Sequence, residues 1–131
     1  MAQYITFNSN QFSELINAIE NGGGGGGGSV KFTALDTNIR TSTGIDFTLS
    51  DNISNYDIII IEMYASSQTY ANQYVGNSVL IASDLVSNAI IWMDGGMNDR
   101  YVQLQIVDDI TYKILQASTG SCIKGIYGIK F

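Results

Sequence analysis

Tyr56-Asp57-Ile58-Ile59-Ile60-Ile61-Glu62-Met63-Tyr64 is the stretch on which the fold turns. Successive side chains of a strand point to opposite faces, so four isoleucines in a row place apolar groups on both. A strand covered on each side requires that pattern, which makes this segment the central strand of a sheet. Asp51 to Asn55 is a turn ahead of it. Upstream, Val30 to Leu35 and Ile45 to Leu49 alternate with a period of two, as half-buried strands do, and the turn-rich Asp36 to Gly44 separates them.

Downstream, Ser66 to Ser78 is polar and punctuated by Tyr70, Tyr74 and Gly76, and it reads as a long loop with an edge strand inside it. Val79 to Ile81 and Ala89 to Met93 are shorter strands, and Asp94 to Asp99 is a strong turn signal. Tyr101 to Val107 alternates, with Val102, Leu104 and Ile106 on one face and Tyr101, Gln103 and Gln105 on the other. Asp108-Asp109 turns the chain, Ile110 to Ala117 returns, and Cys122 to Phe131 closes it, with Gly125 and Gly128 marking a bulge or a close approach of backbone. Short strands at regular spacing without proline predict a mainly β fold, an antiparallel β-sandwich of jelly-roll-like type, preceded by a short N-terminal strand-helix segment.

That N-terminal segment is set apart by seven glycines, Gly22 to Gly28. Glycine buries no side chain and loses much backbone freedom on ordering, so the run is expected to be a linker spanning roughly 15 Å. Before it, Tyr4 to Phe7 is β-prone and Asn8-Ser9-Asn10 favours a turn and a helix cap. Phe12, Leu15, Ile16 and Ile19 then fall on one stripe of a helix of about three turns. An isolated helix that short is marginal in water, so the stripe must be buried. Two partners fit, its own β domain or another molecule, and the loose tether favours the second. The expected division is an attachment and oligomerisation segment at 1–21, a linker at 22–28 and a β-sandwich at 29–131.

Charged residues are only 14% of the 131, against 45% hydrophobic, so the surface relies on uncharged polar groups. The net charge is -6, and the six Lys and Arg do not cluster, which argues against binding phosphate backbones or anionic lipid. The absence of histidine removes the commonest general base, the usual nucleophilic triads and most zinc sites. The single cysteine, Cys122, has no intramolecular partner and sits in an apolar stretch, as a buried structural thiol does. Neither a signal-peptide pattern nor a long apolar segment is present, and a soluble protein without membrane insertion is expected.

Candidate chemistry is sparse. Asp94, Asn98 and Asp99 supply oxygens near a glycine pair, but the spacing is not that of a calcium loop, and a hairpin turn is the better reading. Asp108 and Asp109 are adjacent in a turn, where side chains diverge, rather than opposed across a bond as glycosidase carboxyls are. The glycine run lacks the Lys-Ser/Thr of a phosphate loop. No catalytic residue, metal site or cofactor is expected. One stretch resembles a recognition surface: Gln68, Tyr70, Asn72 and Tyr74 combine amides, which pair with sugar hydroxyls, with rings that pack on a sugar face. A plain solvated loop with its tyrosines folded back on the sandwich is the competing reading.

The closing Gly125-Ile126-Tyr127-Gly128-Ile129-Lys130 resembles the Ile-Tyr-Gly-Ile-Lys strand that ends receptor-binding and tail-fibre tip domains of bacteriophages. Asn55-Tyr56-Asp57, leading into the isoleucine run and Tyr64, is similar to the central strand of those domains, and a glycine run ahead of a small β domain recurs among phage appendage proteins. The resemblance covers about Ser29 to Phe131. It implies a homotrimeric virion protein whose β-sandwich binds a host surface molecule, a saccharide or a protein, with other virion proteins held through residues 1–21. It carries no catalytic residues. A capsid head-fibre or decoration protein and a free saccharide-binding lectin are the alternatives.

Overall fold

The computed structural model describes residues 4–8, 30–67, 70–94 and 100–131, without the side chains of 4–8, 65–67 and 70–75. The described residues form nine strands, β1 (Tyr4–Asn8), β2 (Lys31–Asp36), β3 (Asp46–Thr48), β4 (Ile58–Ser67), β5 (Tyr70–Ile81), β6 (Ile90–Asp94), β7 (Tyr101–Asp108), β8 (Thr111–Ala117) and β9 (Ser121–Lys130). They form a five-stranded sheet in the order β1-β5-β4-β9-β2 and a four-stranded sheet in the order β3-β8-β7-β6. Every pairing is antiparallel. The protein is therefore mainly β, an antiparallel β-sandwich, as the strand spacing predicts.

β4 lies in the middle of its sheet, between β5 and β9, which is where its run of isoleucines belongs. Its alternate residues serve two separate clusters. Ile59, Ile61 and Met63 join Leu80, Ile123 and Ile126 on the inner face and pack with Ile91, Met93, Val102, Leu104, Ile106 and Ile114 of the other sheet. Ile60 joins Ile129 on the opposite face, with Val30, Phe32, Ile58, Val79 and Tyr127 around them.

β9 slips register opposite Glu62 and Met63, so the strand bulges at Lys124-Gly125. A Cβ at Gly125 would sit 2.7 Å from the Tyr127 hydroxyl, and one at Gly128 would sit 2.5 Å from the Tyr56 ring. Both glycines are thus places of close approach. Tyr56 lies over Gly128 because its hydroxyl is held at 2.8 Å by the Asp51 carboxylate.

Two expectations change. Ser66 to Ser78 is not a long loop: β4 runs on to Ser67 and β5 starts at Tyr70, and the two pair from Ser67↔Tyr70 to Ile58↔Ile81. Backbone pairing with the flanking strands overrides the polar composition, and its polar residues Asn77 and Ser78 are buried. β5 is also not an edge strand, since β1 pairs with it from Tyr4↔Leu80 to Asn8↔Gly76. Tyr4–Asn8 is thus part of the β-sandwich sheet, although the expected domain boundary falls at Ser29. The helical stripe Phe12, Leu15, Ile16 and Ile19, the glycine run, Gln68 and the turn at Gly95 to Asp99 lie outside the described residues.

Candidate functional site

On β7 the apolar residues Val102, Leu104 and Ile106 are buried, which turns Tyr101, Gln103 and Gln105 to the outer face of the four-stranded sheet. Register sets their neighbours: Trp92 opposite Gln103, Ile90 opposite Gln105, and Gln105 opposite Lys113. The Trp92 indole stacks on the Tyr101 ring with centroids 4.8 Å apart and planes 11° from parallel. Stacking holds the indole in one orientation while 47% of Trp92 stays open to water. Gln105 Nε2 donates to Asn88 Oδ1 at 3.4 Å, and Asn88 adopts a left-handed φ of 70° at the turn into β6. The face thus combines a fixed, half-exposed aromatic pair with three amides, each carrying donors and acceptors. Lys113 pairs with Asp46 at 3.3 Å on the same face.

A cleft of about 410 Å³ opens beside Ser54, Tyr56, Ser83, Val86, Ser87 and Asp109. Its carboxylate is engaged in holding the chain: Asp109 accepts from the Ser54 amide at 2.9 Å and from the Ser54 hydroxyl at 2.5 Å, tying the β7–β8 turn to the turn before β4. Asp108 caps the same turn by accepting from the Ile110 amide at 3.0 Å, which holds its carboxyl below the usual range. The two carboxylates serve different partners, as neighbours in a turn do.

Asp36 is a buried acid between the two sheets. It accepts from Arg40 Nε at 3.0 Å, the Asn38 amide at 3.0 Å and the Tyr112 hydroxyl at 2.8 Å. Burial alone would push its carboxyl up, but the hydrogen bonds from Arg40, Asn38 and Tyr112 outweigh that and hold it below the usual value. Burial, then the Asp36 carboxylate, raise the Tyr112 phenol far above its ordinary value. Since Asp36 ends β2 and Tyr112 lies on β8, this cluster ties one sheet to the other. Burial likewise raises the thiol of Cys122, a free, buried cysteine.

Of the residues expected to bind ligand, Tyr70, Asn72 and Tyr74 fall at alternate positions within β5. Trp92 escaped sequence reasoning. Its signal was the alternation of Ile90 and Trp92 with Ile91 and Met93, but only register shows that the outward pair lies beside Gln103 and Gln105. Among the described residues no group of three or more His, Cys, Asp or Glu is gathered to hold a metal ion, and no helix is long and apolar enough to cross a membrane. No model of a known protein family matches the chain, and no match was found among curated proteins.

Proposed function

We propose that this chain is a virion appendage protein of bacteriophage type whose β-sandwich binds a host surface saccharide, through the outer face of the four-stranded sheet. The resemblance of Gly125 to Lys130 to the closing strand of phage receptor-binding domains supports the class. One observation carries the ligand: the stacked, half-exposed Trp92 and Tyr101 beside Gln103 and Gln105. A large aromatic group costs free energy when left in water, and an indole braced in one orientation offers a flat apolar surface with little ordering entropy left to lose. The C–H face of a sugar ring fits such a surface, and neighbouring amides pair with its hydroxyls. The expected homotrimer follows from the same resemblance and would multiply weak single-site binding by avidity.

The test is a glycan array probed with the full-length protein and with Trp92→Ala. Wild type is expected to bind a restricted set of saccharides, and the variant to lose more than about tenfold in affinity, roughly 1.4 kcal/mol, at unchanged thermal midpoint. Equal binding by the two proteins would remove this face from the site. Dissociation of an oligomer by Trp92→Ala, seen in light scattering, would instead make the face a contact between copies.

A further inference from the structure

Every Lys and Arg of the sequence lies within the described residues: Lys31, Arg40, Arg100, Lys113, Lys124 and Lys130. Of these, Lys113 alone occupies an outward strand position of the four-stranded sheet, opposite Gln105 on one side and Asp46 on the other. Its charge is already met, since Nζ lies 3.3 Å from an Asp46 carboxylate oxygen. The other cations are engaged elsewhere. Arg40 pairs with Asp36, Lys124 with Glu62 and Lys130 with Asp57. Arg100 donates to the Thr119 carbonyl, and Lys31 belongs to β2 of the other sheet.

Register extends the aromatic platform into a polar track. Trp92, Gln103 and Gln116 stand opposite one another on β6, β7 and β8, and Ile90, Gln105, Lys113 and Asp46 form the next row, which reaches β3. That row crosses three strand spacings, roughly 14 Å. Polar groups follow Trp92 across the sheet and not along β6, whose outward residues are Ile90, Trp92 and Asp94.

The track is balanced in what it offers. Each Gln carries donors and an acceptor, the Lys113 ammonium has three donors, and the Asp46 carboxylate only accepts. Lys113 and Asp46 keep 30% and 55% of their side chains exposed, so a ligand can reach both. Sugar hydroxyls both donate and accept, and neighbouring hydroxyls satisfy the two members of the pair at once. A carboxylate or sulfate only accepts. Beside Lys113 it meets the like charge of Asp46, and the chain as a whole carries -6.

We propose, resting on the reading of this face as a saccharide site, that it takes an uncharged oligosaccharide laid across the strands from Trp92 to the pair of Lys113 and Asp46. Asp46 is the specificity-determining residue: it neutralises the one cation of the face and so turns away glycans that bear carboxylate or sulfate.

The test is a glycan array printed in matched pairs, each neutral oligosaccharide beside the same chain carrying one sialic acid, uronate or sulfate, probed with the full-length protein at low and high salt. The neutral member should bind about fivefold more tightly at low salt, the effect of one opposed charge at an exposed site, and the preference should shrink at high salt. Asp46→Asn should bring the ratio close to one. Lys113→Gln, which leaves the acid alone, should widen it. Acidic members bound as well as or better than neutral ones, in a manner lost with Trp92→Ala, would overturn the proposal and leave the saccharide site standing. A preference that neither salt nor either substitution changes would also overturn it, since shape and not the ion pair would then discriminate. Absence of any binding that depends on Trp92 would remove the site itself, and this inference with it.

Discussion

On the outer face of the five-stranded sheet Ile60 and Ile129 are closed to water, whereas on the outer face of the four-stranded sheet Ile90 is 56% exposed and Trp92 is braced but open. The strands that carry these residues read alike. Ile58-Ile59-Ile60-Ile61 on β4 and Ile90-Ile91-Trp92-Met93 on β6 both place apolar groups on two faces. One is central in its sheet and the other is an edge. An apolar side chain on a covered face stabilises the fold, while one held rigid on an open face is available to a ligand. The difference between the faces separates a part of the molecule that holds it together from the part proposed to recognise a saccharide.

The largest effect that could break this comparison is on stability. Ile60→Ala should cost about 2–5 kcal/mol in urea unfolding, the ordinary range for emptying a core site, while Ile90→Ala should stay within about 0.5 kcal/mol. A cost for Ile60→Ala below that of Ile90→Ala would mean that the five-stranded sheet has no true outer core.

Next comes the polar tie between the sheets, a contrast with the amides of the open face. Tyr112→Phe leaves the buried Asp36 without one of its donors and should cost about 1–3 kcal/mol. Asp36 is less basic in the folded than in the unfolded chain, so its stabilising contribution is present above about pH 4 and is lost as pH falls through its folded value. Asp51, Asp57 and Asp108, lowered by their own hydrogen bonds, contribute to the same acid limb. Tyr112 is shifted the other way: its contribution is present below about pH 10 and is lost above it, where the unfolded phenol ionises first. Denaturant midpoints measured against pH should therefore fall at both ends, and Tyr112→Phe should remove part of the alkaline fall. An alkaline limb unchanged in the variant would contradict the assignment.

Trp92→Ala should move binding by more than about tenfold and stability by less than about 0.5 kcal/mol, the reverse of Ile60→Ala. The smallest effect is expected from Tyr74→Ala on β5, a loss of only about two- to threefold in saccharide affinity by titration calorimetry. A larger loss from Tyr74 than from Trp92 would move the centre of the site to the β4–β5 hairpin.

Much of this architecture is legible in the residues alone. Four consecutive isoleucines place apolar side chains on both faces of a strand, the pattern of a central strand, and β4 is central. The alternation of Val102, Leu104 and Ile106 with Tyr101, Gln103 and Gln105 assigns the two faces of β7 without any partner. Gly125 and Gly128 mark close approaches because only a missing Cβ admits the rings of Tyr127 and Tyr56. These readings succeed because each rests on the two-residue period of a strand or on the size of one side chain, which are local properties. What tertiary structure alone decided is pairing. The polar stretch after Tyr64 forms the inner strand β5 because β1 and β4 flank it, and Ile90 and Trp92 face water because no layer covers that side of β6 among the described residues. Strand order and the presence of a covering layer are set by contacts between residues far apart in the chain, so a short apolar run cannot by itself declare which of its faces will be closed.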